Sequence, residues 1–174
     1  SVGRARTFAS YCMSKKWAMS LSVYGFLAGL VAIPCPCYCV IPTGALALGA
    51  VAGVIVVYGV ELLEYLRIDD PIGAVPVHGM CGIWGTLSLG LFASGQYGAT
   101  GPFAADNSAP LKGLFYGGGT QVLMAQIVGS AIITISTFVV ALIVMYAINA
   151  MGLLRISAAG EYYGLDLHEH GISA

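Results

Sequence analysis

The stretch DDPIGAVPVHGMCGIWG, Asp69 to Gly85, sets a histidine, His78, inside an apolar run that opens with two carboxylates and a proline. A neutral imidazole offers one donor and one acceptor, so it can pass a proton or hold a small neutral molecule. The nearest nucleophile is Cys81, one helical turn on, but no third group stands ready to orient the pair. No catalytic constellation emerges, and an enzyme is not expected. Cys35, Cys37 and Cys39, in PCPCYC, raise a metal or redox alternative. Zinc sites usually keep about two to four residues between paired cysteines and need a fourth ligand. The cysteines therefore read better as small apolar residues at the end of a span, with no metal and no cofactor implied.

The elements that must position His78 follow from composition. The chain is 58% hydrophobic and 9% charged, and 24 of its 174 residues are glycine. A soluble domain would carry about 25% charged residues and about 7% glycine. Glycine at this level suits closely packed transmembrane helices, so the expected class is an all-α integral membrane protein. The net charge of −1 gives no footprint for nucleic acid. Crossing a hydrocarbon core about 30 Å thick takes roughly 20 apolar residues. Four stretches supply them, at 17–40, 44–65, 71–93 and 120–154, followed by a tail at 155–174. The chain opens on Ser1 and reads as a piece of a longer protein.

Charge sets the orientation. Arg4, Arg6, Lys15 and Lys16 precede the first span, Arg67 follows the second, and Arg155 follows the fourth. Four spans place all six on one side and leave Lys112 alone on the other. The positive-inside rule then makes both ends cytoplasmic.

Asp70-Pro71 reads as a helix start, with Asp70 as the structural cap and Pro71 where a missing donor costs nothing. His78 would lie on the order of 10–12 Å further along at 1.5 Å per residue, inside the hydrocarbon. Its α-helical face comprises Pro71, Ala74, Val75, Cys81, Gly82 and Gly85, and none of these can bond the imidazole well. Pro76 adds a local break. Two readings follow. His78 is either glue between helices, bonded to a neighbouring polar group, or a residue of a pathway with small residues leaving a narrow lumen beside it.

The motif itself adds a resemblance. LRIDDPIGAVPVHGMCGIWGTLSLGLF resembles the segment of the ammonium transporter family (Amt/Mep, related to Rh proteins) that carries its second pore histidine. GFLAGLVAI, GALALGAVAGVIVVYG and the closing GLDLHEHG are similar to the two preceding spans and the cytoplasmic tail. The resemblance implies an eleven-helix fold in the plasma membrane, of which this chain supplies four transmembrane helices, assembled as a homotrimer among membrane lipids. It implies that ammonium is deprotonated and that ammonia passes a hydrophobic pore lined by a histidine pair. His78 matches the second member, and Leu27 and Ala74 match pore-lining positions. Asp70 matches an aspartate that supports the helix. The tail, including Gly164, Asp166 and Gly171, resembles a region that couples subunits and meets PII-type regulators. His168 and His170 read as part of that solvated tail, not as a metal site.

The departures carry expectations of their own. Tyr24 stands where the family usually has a small polar residue, Pro34 where threonine is frequent, and Cys39 where many members have tryptophan. Tyr24 is one turn from Leu27, so its ring could narrow the pore. The first pore histidine falls outside this chain, so these residues alone are not expected to conduct. The alternative function is an ammonium-sensing, transporter-like domain coupled to a cytoplasmic signalling module.

Overall fold

A computed structural model describes residues 19–101 and 109–164. The chain divides into two compact units, residues 1–130 and 131–174. No extended sheet forms among the described residues, which hold only two isolated antiparallel bridges, Ser94–Lys112 and Thr100–Pro110.

In the first unit, α1 (Met19–Ala32), α2 (Pro42–Tyr65) and α3 (Cys81–Phe92) pack on one another, and a π-helical segment (Val75–Met80) leads into α3. The core they share is made mostly of small and β-branched side chains, Ala28, Ala32, Ala52, Val56, Val77 and Cys81, with Leu48 among them. Small residues let backbones approach, which is how helices gain contact energy where lipid is as apolar as leucine. Gly85 shows the limit of that approach, because a Cβ there would stand 2.5 Å from the Ala32 carbonyl oxygen.

α1 leaves helical conformation after Ala32, eight residues before the expected end of the 17–40 span. Pro34 and Pro36 cannot donate to a continuing ladder, and the chain turns instead, with Cys39 and Val40 amides reaching back to the Pro36 carbonyl. Cys39 packs with Leu89 and Ala93 in a second small cluster. Ser94 ties this end together, since its amide and its hydroxyl both donate to the Cys39 carbonyl at 2.8 and 3.1 Å. The 44–65 span is α2, begun by Pro42 in the first turn, where proline is tolerated. It closes with Ile68 N–H reaching Leu63 O and Arg67 N–H reaching Glu64 O, while Arg67 takes a left-handed φ of 57°. That is a Schellman-type ending, with arginine where glycine is usual.

The first ten residues of α4 (Gln121–Ala150) belong to this unit. Gly90 lies against the Leu123 backbone, and the Thr86 and Ser130 hydroxyls share a 2.6 Å hydrogen bond.

In the second unit the rest of α4 has almost every side chain exposed, although it is apolar on all sides. A helix of that kind belongs in lipid or against other apolar helices. After a turn at Gly152 (φ 72°), Ser157 caps the short α5 (Ala158–Tyr163) through its Oγ, which accepts from Gly160 N–H at 3.2 Å. The Arg155 Nε donates to Glu161 Oε1 at 2.8 Å.

Three helical stretches are long and apolar enough to cross a membrane: Pro42–Tyr65, Val75–Phe92 and Gln121–Ala150. Among the described residues, Val75–Phe92 and Gln121–Ala150 lie inside the expected 71–93 and 120–154 spans, and Pro42–Tyr65 begins two residues before the expected 44–65 span. The described part of the first, 14 residues of α1, is shorter than a crossing needs.

Candidate functional site

The His78 region is built from the cap upward. Both oxygens of Asp70 accept backbone hydrogen bonds at 2.8 Å, Oδ1 from Ala74 N–H and Oδ2 from Val75 N–H. These are two of the donors that a helix start leaves without an intrahelical partner. The helix therefore begins at Ala74, not at Pro71 as the sequence pattern suggests. Residues 71–73 form a turn in which Gly73 N–H reaches Asp70 O. Gly73 itself adopts a left-handed φ of 66° directly beneath the Tyr24 ring, where a Cβ would come within 3.1 Å of the ring.

Pro76 then changes the helix type. It has no N–H, and its ring crowds the carbonyl of the preceding turn. The chain responds with a wide turn: Cys81 N–H donates back to Pro76 O, five residues earlier, as well as to His78 O. This corrects the α-helical face drawn from the sequence. Cys81 and Gly85 are buried among the helices, while His78 is exposed on the other side. Gly79 and Gly82 follow His78 toward the open side, with no atom nearer than 3.9 and 4.0 Å to a Cβ built on them. The glycines after His78 thus divide into one that packs and two that leave space.

Two side chains bind this segment to α2. Cys81 Sγ donates to the Ala52 carbonyl at 3.5 Å, and Trp84 Nε1 donates to the Leu48 carbonyl at 3.0 Å. Neither contact is visible in the sequence, where Trp84 reads only as an apolar residue.

The other expected site residues are placed as follows. Ala74 is half-buried at the start of the helix, and Leu27 on α1 is 38% exposed. Tyr24 packs against the shared core, and its hydroxyl donates to the Pro71 carbonyl at 3.3 Å. A cavity of about 490 Å³ lies beside it, bounded by Glu64, Asp69, Asp70 and Gly73. This cavity borders the cap and does not include His78. Gly164 ends α5 with a φ of 88° and donates to Gly160 O. Asp166, Gly171, His168 and His170 lie outside the described residues. Cys35, Cys37, Cys39 and Cys81 are free thiols, and the described residues contain no group of three or more potential metal ligands.

These features define an integral membrane protein whose apolar helices carry one polar side chain at a proline-widened turn. Known proteins identify the class more closely. The pattern of the Ammonium Transporter Family matches residues 3–174, and the chain belongs to that family, one of transporters and not of enzymes. Ammonium transporter Amt2 of Archaeoglobus fulgidus is 35% identical over 156 residues, which are 90% of this chain and 32% of that protein. Among solved structures, a Sensor Amt Protein superposes with a TM-score of 0.79 at 26% identity, covering 97% of this chain and 38% of that one. A Mep2 mutant from Candida albicans gives 0.75 at 26% identity, covering 89% of this chain and 38% of that one. The chain thus spans about a third of the length of its relatives.

Proposed function

We propose that this chain is the C-terminal part of an ammonium transporter in which His78 is the second member of a pore histidine pair. The observation that carries the reading is the exposure of His78 on a membrane-length segment whose neighbours, Pro76, Val77 and Cys81, are buried. A polar side chain turned outward from an apolar helix needs a partner or a lumen, because leaving it against lipid is costly. The remainder of a protein three times this length supplies the opposite wall, including the first histidine. Leu27 and Ala74 complete the near wall.

The chemistry follows from the cost of charge. An ammonium ion loses too much hydration to cross an apolar passage as a cation. It gives up a proton to water at the entrance, crosses as ammonia, and takes a proton from water on the far side. A neutral imidazole can accept a hydrogen bond from an ammonia N–H at its bare nitrogen, or donate from its N–H to an ammonia lone pair. The assembled protein is a plasma-membrane homotrimer with both ends of this chain cytoplasmic. That orientation is supported by the excess of Lys and Arg in the segments before the first, after the second and after the fourth expected spans, against Lys112 alone in the segment after the third. The tail around Gly164, Asp166 and Gly171 faces PII-type regulators.

The test is ammonium uptake by cells that express the full-length protein and lack other uptake systems. His78→Ala should reduce uptake at least about tenfold at matched surface expression, the loss that follows from removing about 1.4 kcal/mol of hydrogen-bonding stabilisation along the passage. Wild-type uptake by the variant would remove His78 from the pathway.

A second reading, an ammonium sensor coupled to a signalling module, is favoured by the structural likeness to the protein named a Sensor Amt Protein. Ammonium binding by the full-length protein without any flux would support it, and flux through the wild type would argue against it.

A further inference from the structure

Asp70, Trp84 and Gly59, which hold the wide turn, have no part in the function proposed above. A π-turn holds one residue more than an α-turn, and such a turn can move along a helix or close up. Moving it past His78 would rotate that side chain by about 100°, the angle of one residue in an α-helix. The exposed direction of His78 is therefore defined only if both ends of the turn are fixed.

The upstream end is fixed by Asp70, which holds the Ala74 and Val75 amides. Downstream, Trp84 Nε1 bonds Leu48 O at 3.0 Å, and one turn along α2 Cys81 Sγ bonds Ala52 O at 3.5 Å. The indole N–H can only donate, and an apolar interior offers no water to replace its partner. The flank of the turn rests in a notch made by Gly59. A Cβ at that position would stand 2.8 Å from Met80 Sδ and 2.9 Å from Pro76 Cβ.

We propose that Trp84 is a positioning residue for His78: its hydrogen bond to the Leu48 carbonyl, together with the Gly59 notch further along α2, pins the π-turn and so fixes the direction of the imidazole. Trp84 touches neither substrate nor proton, and its effect reaches the passage through the backbone. The effect on transport rests on the pore role of His78; the effect on imidazole geometry does not.

The experiment uses the full-length protein in lipid vesicles, with nitrogen-15-labelled histidine and solid-state NMR. The His78 ring signals are assigned by their loss in His78→Ala. Trp84→Phe keeps an aromatic ring and removes the donor; Gly59→Ala keeps the indole and presses on the same turn from further along α2. The expected result is that the His78 ring signals shift or split in whichever of these variants assembles like the wild type. In the same vesicles the maximal ammonium flux should fall about tenfold or more, with half-saturation within about twofold, as for a misplaced group and unchanged binding. Unmoved His78 signals in the assembled variants would overturn the proposal, even if flux fell. Moved signals, with His78→Ala still transporting as wild type, would uphold the positioning role and reject the pore role.

Discussion

Asp70 binds two backbone donors with one side chain, and this makes it the most consequential capping group in the described chain. Removing it strands the Ala74 and Val75 amides near the end of an apolar segment. Asp70→Ala should therefore destabilise the full-length protein by about 1–2 kcal/mol, read as a lower thermal midpoint in detergent. Asp70→Asn, which keeps one acceptor oxygen, should fall between. Asp70 was legible as a cap because carboxylate followed by proline is a local signal. The outward direction of His78 was not, since an α-helical wheel puts it on one face with Cys81 and Gly85. Trp84 gave no signal at all, because its partner is a backbone carbonyl 36 residues away.

At the scale of elements, prolines decide where helices change. Pro76 in the sequence announced a break, and the structure shows its form, a wide turn that leaves the helix continuous. Pro34 and Pro36 end α1 earlier than hydropathy alone suggests, because hydropathy counts apolar side chains and not missing donors. Glycines have to be read one at a time. Gly85→Ala forces a methyl against the Ala32 carbonyl and should cost about 1–3 kcal/mol, seen as a lowered thermal midpoint. Gly82→Ala, with its nearest atom 4.0 Å away, should leave the midpoint close to wild type.

The junction after α4 makes a smaller, pH-dependent prediction. The hydrogen bond from the Arg155 guanidinium, aided by its charge, holds the Glu161 carboxyl below its usual range. A carboxyl whose folded pKa is lowered contributes stability above its unfolded value and loses it as pH falls through the folded value. Both partners are exposed, so the effect on stability is small. Arg155→Gln should raise the Glu161 titration midpoint, observed by carbon-13 NMR of labelled glutamate.

At the scale of the molecule, the sequence disclosed the class and three of the membrane-length helices, because hydrophobic length and charge asymmetry are properties of single segments. What it could not disclose is how α1, α2 and α3 meet. Their core is made mostly of alanines and valines, residue types that recur throughout the chain, so composition does not mark which of them pack and which line open space. The relatives are about three times as long as this chain, and under the function proposed above the exposed apolar surface of α4 and the open side of His78 face the matching remainder.

Flux through the full-length protein tests the central claim most directly. Proteoliposomes of wild type and His78→Ala, matched for protein content, are given an inward ammonium gradient while the internal pH is recorded. The account predicts rapid gradient-dependent flux through the wild type and a loss of at least about tenfold in the variant. Equal flux through both would contradict it.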